Sequence, residues 1–188
     1  MNLIVVGSVA LDSVETPLGK VENALGGSAV YFSVSASYFT KVGIVAVIGQ
    51  DFPEEHLTFL QSKSIDAGGL TRESGLTFHW KGKYSGDLNE AETLDTQLNV
   101  FETFRPHIPA AYCEAPFVFL ANIDPELQLT VLKQVKNPKL TICDTMNFWI
   151  EGKIDQLRET IKRVDILIIN EGEARLLSQE SNLVKAYQ

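Results

Sequence analysis

Short acidic and amide side chains recur just past apolar runs in this chain: Asp12, Asp51, Asn122, Asp124, Asp144, Asn147, Asn170 and Glu173. A carboxylate accepts hydrogen bonds strongly from two donors at once. Surface loops are polar in any case, so this set alone does not define a site. A glycine pair, Gly26-Gly27, stands before the small residues Ser28 and Ala29. Two glycines let the backbone approach a ligand, and a helix opening there would offer free N–H groups. A plain turn before a helix explains a lone Gly-Gly just as well. His56, His79 and His107 form no zinc-binding pattern. Cys113 and Cys143 have no partner at metal spacing and read as unpaired thiols of a reducing cytoplasm.

The elements that must position these residues can be read from the apolar pattern. Residues 3–6, 44–48, 117–121, 140–143 and 165–169 are short runs rich in Val, Ile and Phe with little alternation. Such runs predict strands buried on both faces. Helical patterns lie over 28–39, 53–62, 125–135, 153–163 and 172–178, with Pro53 suited to a first turn. Alternation of strand and helix predicts an α/β fold with a mostly parallel sheet flanked by helices. Ligands of such sheets sit beyond the carboxyl ends of the strands, where the polar residues named above fall. Two stretches break the rhythm. Residues 12–23 are polar and interrupted by Pro17 and Gly19, and residues 75–87 alternate Phe78, Trp80 and Tyr84 with polar positions. Both are expected to be strands of a small separate sheet, with Asp12 exposed where that sheet joins the main one. An ordinary surface hairpin is the alternative.

With 188 residues, 45% hydrophobic and 21% charged, the chain suits one globular domain spanning 1–188. A net charge of −8 speaks against nucleic acid as partner. The apolar start lacks a basic flank and is broken by Asp12, so neither a signal peptide nor a membrane span is expected.

The familiar phosphate loops fail. Gly7-Ser8-Val9-Ala10-Leu11-Asp12 lacks the second and third glycines of a dinucleotide fingerprint, and Gly19-Lys20 is followed by Val21 rather than by Ser or Thr. A different ordered set is present. Gly7 to Asp12 follows an early strand, Gly26-Gly27 opens a helix, and Val42-Gly43-Ile44-Val45-Ala46-Val47-Ile48-Gly49-Gln50-Asp51 follows. Asp144-Thr145-Met146-Asn147 comes after a middle strand, and Asn170-Glu171-Gly172-Glu173 after a later one. Taken in order, these resemble the ribokinase-like (PfkB) carbohydrate kinases over essentially the whole chain. The resemblance implies a three-layer, Rossmann-type fold with a β lid.

By that resemblance, Asp12, Gly26, Gly27 and Ser28 bind the acceptor substrate. Asn170 and Glu173 organise magnesium and phosphate, Glu173 reaching the metal through water. Asp144 and Asn147 lie near the phosphate, with a helix cap as their alternative role. Mg2+ and ATP are the implied cofactor and co-substrate. A sugar or nucleoside is the implied partner, with phosphate transferred to its hydroxymethyl group. The lid strands are where a homodimer would form. Phe78 and Trp80 either stack on a ligand or pack in a core. Family members also carry a Gly-Ala-Gly-Asp stretch, whose Asp is the base and whose amides hold the transferred phosphate. No such stretch occurs here. The chain therefore reads as a kinase fold without its C-terminal portion, with no catalytic residue of its own and inactive alone. A non-catalytic sugar- or nucleoside-binding module is the alternative, and an unrelated α/β nucleotide-binding protein a more distant one.

Overall fold

The computed structural model describes residues 1–85 and 91–186. The chain opens with β1 (Leu3–Val6), then leaves the main sheet for a hairpin of β2 (Ala10–Thr16) and β3 (Gly19–Gly26). Helix α1 (Ser28–Ser37) returns it to β4 (Val42–Ile48), and α2 (Glu54–Ser62) leads to β5 (Asp66–Arg72). A second excursion forms β6 (Phe78–Tyr84) and β7 (Ala91–Gln97). The chain re-enters at β8 (Phe117–Leu120) and continues through α3 (Pro125–Leu132), β9 (Leu140–Asp144), α4 (Asn147–Gly152), α5 (Ile154–Ile161) and β10 (Ile166–Ile168). It ends in α6 (Glu171–Ser178) and α7 (Leu183–Ala186).

Six strands form a sheet in the order β10-β9-β8-β1-β4-β5, with every neighbouring pair parallel. The order reverses at β1, the switch point where such sheets hold ligands. Strands β1 and β4 are buried on both faces, as their unbroken apolar runs require. One core lies under α1 and α2 around Val5, Ile44, Ile48 and Leu60. The other lies on the opposite face, around Ile4, Val6, Val118, Leu120 and Val131 of α3.

The four strands of the two excursions form the lid, in the order β3-β2-β6-β7. Strand pairing alternates its faces. Asp12 stands beside Trp80 and Val14 beside Gly82 on one face, while Ser13 and Lys81 share the other. The Trp80 ring covers Gly82, where any side chain would collide with it, and its Nε1 donates to Thr93 Oγ1 at 3.2 Å. Phe78 stacks on Phe101 at 5.3 Å between centroids, which makes it a packing residue at the lid base. The expected lid segment 75–87 runs to Tyr84 as strand, and Gly86 and Asp87 fall outside the described residues. Strand β3 extends to Gly26, past the expected limit at 23.

Several elements, β5, β7 and α4 among them, were not legible in the apolar pattern. β5 reads Asp-Ala-Gly-Gly-Leu-Thr-Arg and β7 reads Ala-Glu-Thr-Leu-Asp-Thr-Gln. Neither has an apolar run, because β5 is a sheet edge and β7 a lid edge. Helix α4 is too short for a periodic signal.

Candidate active site at the sheet–lid junction

Asp12 is the centre of the junction. It is 9% exposed, which corrects the expectation of an exposed carboxylate. The cause is local packing. A β-bulge in β3 opposite Asp12, with Asn23 at φ +54°, bends the strand, and Gly26 returns directly against the carboxylate. A Cβ at Gly26 would fall on the Asp12 carboxyl, so only glycine fits. Burial pushes the Asp12 pKa up to about 6, while the Gly27 amide and His79 pull it down. Near neutral pH the group is ionised, poorly solvated and able to accept hydroxyl hydrogens.

Gly27 caps α1 at φ +95°, and a Cβ there would meet the Ser8 carbonyl. The first amides of α1 are not free. Ser28 N donates to Ser8 Oγ and Ala29 N to Ser8 O, both at 3.1 Å. The helix opening is therefore closed by Ser8 rather than left for a phosphate. Ser28 Oγ lies 3.1 Å from Ser8 Oγ and donates to the Asn122 carbonyl at 3.3 Å. Ser28 thus ties together the ends of β1 and β8 and the start of α1.

Tyr31, one turn into α1, belongs to the same junction. It is 62% exposed, and burial, the Asp12 charge and Tyr84 together raise its pKa. Tyr84 follows Trp80 and Gly82 on the Asp12 face of β6. Tyr31 is thus the aromatic residue that feels the Asp12 charge, while the Trp80 ring is turned over Gly82 toward Thr93 of β7. The sequence signal was Tyr31's place five residues after Gly26, but its helical context hid that it faces the lid.

The lid is anchored by Asp51, beyond the end of β4. Its Oδ1 accepts from Thr77 N and Thr77 Oγ1, both at 2.7 Å, and its Oδ2 lies 3.3 Å from His79 Nε2. Gly49 N donates to Thr77 Oγ1 at 3.0 Å. Burial works to raise the Asp51 pKa, but the Thr77 and His79 hydrogen bonds outweigh it and hold the pKa low. Thr77 and His79 were not singled out from sequence, since no motif marks a hinge.

The second carboxylate group lies past β9 and β10. β9 stands two strands from β1, roughly 10 Å across the sheet. Burial, then the charge of Glu173, raises the Asp144 pKa to about 6, against the Thr145 and Asn122 amides. Fully buried Gln128 fixes this edge, donating to the Ala121 carbonyl at 3.0 Å and the Asp144 carbonyl at 2.9 Å. Asn170 and Glu173 form a reciprocal capping box on α6, each side chain bonded to the other's backbone N–H at 2.9 Å. The Asn-x-x-Glu spacing is thus fully used as a helix start, a local role the sequence reading overlooked. Asn147, exposed, is the first residue of α4. Asp124 caps α3 and pairs with Lys153 at 2.7 Å. Among the described residues no group of three or more His, Cys, Asp or Glu could hold a metal directly. A groove of about 620 Å³ between α1 and α2 is lined by Tyr31 of the junction, together with Leu25, Val34, His56 and Phe59. No described helix is long and apolar enough to cross a membrane.

No protein-family model matches the chain. A cytidine kinase of Thermococcus kodakarensis is 31% identical over 183 residues, a match covering 95% of this chain and 64% of that protein. The nucleoside kinase of Methanocaldococcus jannaschii, an archaeal member of the ribokinase family, superposes with TM-score 0.74 at 19% identity, over 95% of this chain and 64% of its own. A putative ribokinase II from E. coli, in complex with ATP and Mg+2, superposes with TM-score 0.74 at 13% identity, over 99% and 67%. The chain spans somewhat less than two thirds of the length of the curated relative it matches. A six-stranded parallel sheet carrying a β lid gives the chain the ribokinase-like fold, and its sequence is similar to that of a cytidine kinase.

Proposed function

We propose that this chain forms the acceptor half of an ATP-dependent kinase that phosphorylates a hydroxymethyl group, with a nucleoside as the favoured acceptor. The observation that carries this reading is Asp12, a buried carboxylate wedged against Gly26 with Tyr31 near enough to feel its charge. A carboxylate with one neighbouring amide still has lone pairs for two substrate hydroxyls. A half-exposed aromatic face beside it suits a planar base better than a bare pentose ring. The cytidine kinase and nucleoside kinase matches agree with that choice. Sugars remain the alternative acceptors within the same chemistry.

The donors at the far end suit a hydrated magnesium ion. Asp144 and Glu173 repel each other, and Thr145 Oγ1 is buried beside Asp144 without a hydrogen-bond partner among the described residues. A cation with its waters would relieve the first and could satisfy the second. Asp144, Glu173 and the neighbouring Asn147 are the residues assigned to it, Glu173 acting through water and Asn170 serving as its support. Bound Mg-ATP would supply the phosphoryl group. The roles of this chain's residues are to hold the acceptor hydroxyls at Asp12, to screen them beneath the lid, and to receive the metal end. Among the described residues none is assigned the role of base, so the residues of this chain are assigned binding. A cytoplasmic setting matches the ATP requirement and the two free thiols. A homodimer, if one forms, would use the free lid edges β3 and β7.

A thermal-shift comparison of nucleosides and pentoses, with and without Mg-ATP, tests the assignment. Stabilisation by nucleosides alone supports it. Stabilisation only by pentoses would move the acceptor class to sugars. No shift with either, in a chain whose melting is cooperative, would remove the acceptor site.

A further inference from the structure

Asn122 lies just past β8, at the carboxyl end of the strand between β1 and β9. It therefore stands between the acceptor end of the edge and the candidate phosphate end. Its backbone is committed to both. The carbonyl accepts from Ser28 Oγ at 3.3 Å, on the β1 side. The amide lies against the Asp144 carboxylate, on the β9 side, and opposes the rise that burial imposes on its pKa. Any residue could make these backbone contacts, so they leave the choice of asparagine unexplained.

The side chain has a partner of its own. Trp149 Nε1 donates to Asn122 Oδ1 at 2.9 Å. An indole N–H can only donate, so the atom facing it is the amide oxygen, and the orientation of the amide is fixed. Trp149 is itself braced in α4 by Phe148, edge-on at 4.8 Å between centroids. The Asn122 Nδ2 group keeps two hydrogens and has no hydrogen-bond partner among the described residues. The buried atoms that lack a partner there are Ser33 Oγ, His56 Nε2 and Thr145 Oγ1, so Asn122 Nδ2 is open to solvent.

An open, pre-oriented neutral donor suits an oxygen that carries lone pairs. The neighbouring groups decide which oxygen. Asp12 and Asp144 accept hydrogens and repel anions. The first amides of α1, which could have met a phosphate, are taken by Ser8. A phosphoryl group joined to the hydroxymethyl oxygen of the acceptor would lie between the two ends of the edge, and its charge calls for donors fixed in place. We propose that Asn122 Nδ2 donates to a phosphate oxygen of the phosphorylated acceptor, and that Trp149 is the positioning residue that aims it. The inference rests on the reading of this edge as a kinase site, but it concerns the phosphate, which is not assigned to Asp12.

The test is NMR of the isotope-labelled 188-residue chain with cytidine and with cytidine monophosphate. The side-chain NH2 signals of Asn122 are assigned by their loss in Asn122→Asp, which keeps one oxygen for Trp149 and puts another in place of the donor. The monophosphate should shift these signals and cytidine should not. In Asn122→Asp, affinity for the monophosphate relative to cytidine should fall about tenfold or more, because a charge-assisted hydrogen bond becomes a repulsion. Trp149→Phe keeps a ring and removes the indole N–H, and should lower the same ratio. A general loosening of the fold would weaken both ligands alike and leave the ratio in place. Signals that ignore the monophosphate, signals that move equally with cytidine, or an unchanged ratio in Asn122→Asp each overturn the proposal. An unchanged ratio in Trp149→Phe overturns its positioning part. If cytidine fails to bind while the monophosphate still shifts the signals, the acceptor assignment falls and this one stands. If cytidine binds and the signals ignore the monophosphate, the reverse holds.

Discussion

Asp12 stores a conflict between stability and binding. Its folded pKa of about 6 lies above the ordinary carboxylate value of 3.8. The folded state therefore holds more protons than the unfolded state between those values, and stability falls as pH rises through that window. The rise is worth at most roughly 3 kcal/mol, and solvent reaching the carboxylate brings it nearer 1–2 kcal/mol. Asp12→Asn should raise the melting temperature by about 2–6 °C at pH 7.5, and calorimetric scanning checks this. The same substitution should weaken acceptor binding at least tenfold, since the amide accepts at only one atom. Gly26→Ala should lose binding too, but with a lowered melting temperature, because its methyl displaces the carboxyl. Glu173→Gln separates cap from metal site. Gln serves equally at this capping-box position, so melting should barely change, while any stabilisation by Mg-ATP should disappear. Unaltered stabilisation would take Glu173 out of the metal region.

At the scale of elements, Thr77 is one of the residues that hold the lid to the sheet. Thr77→Val removes both a donor to Asp51 and an acceptor for Gly49 N–H. Leaving such buried groups unpaired costs roughly 1–3 kcal/mol. Hydrogen exchange should quicken across β6 and leave β4 protected. Equal protection of both would show that the lid does not depend on this hinge. The Asp51 pKa is held low, so its contribution is present above about pH 4 and lost as pH falls through the folded value. Much at this scale was legible in sequence. Strands β1, β4, β8 and β9 announced themselves because burial on both faces demands unbroken apolar runs. The glycine pair and Asp12 were legible because close approach admits only certain residues. The edge strands β5 and β7 were not, since an edge needs no such run. Nor were Thr77, Gln128 and Tyr31, whose roles come from contacts between elements far apart in the chain. The burial of Asp12 was not legible for the same reason, and the capping role of Asn170 and Glu173 was not because one Asn-x-x-Glu spacing fits both a helix cap and the family motif.

At the scale of the molecule, two carboxylates of raised pKa, Asp12 after β1 and Asp144 at the end of β9, stand two strands apart along one carboxyl edge. Both should stabilise the empty protein as pH falls from 7 toward 5, the reverse of ordinary acid denaturation. Acceptor affinity should move the other way, because a protonated Asp12 loses an accepting atom. The most direct measurement is titration calorimetry of the 188-residue chain with cytidine at pH 7.5 and pH 5, alongside Asp12→Asn. Binding at pH 7.5 that weakens at least tenfold at pH 5, and a variant that binds weakly at both, is the predicted result. Binding that is indifferent to pH and to the loss of Asp12 would contradict the assignment of this junction as the acceptor site.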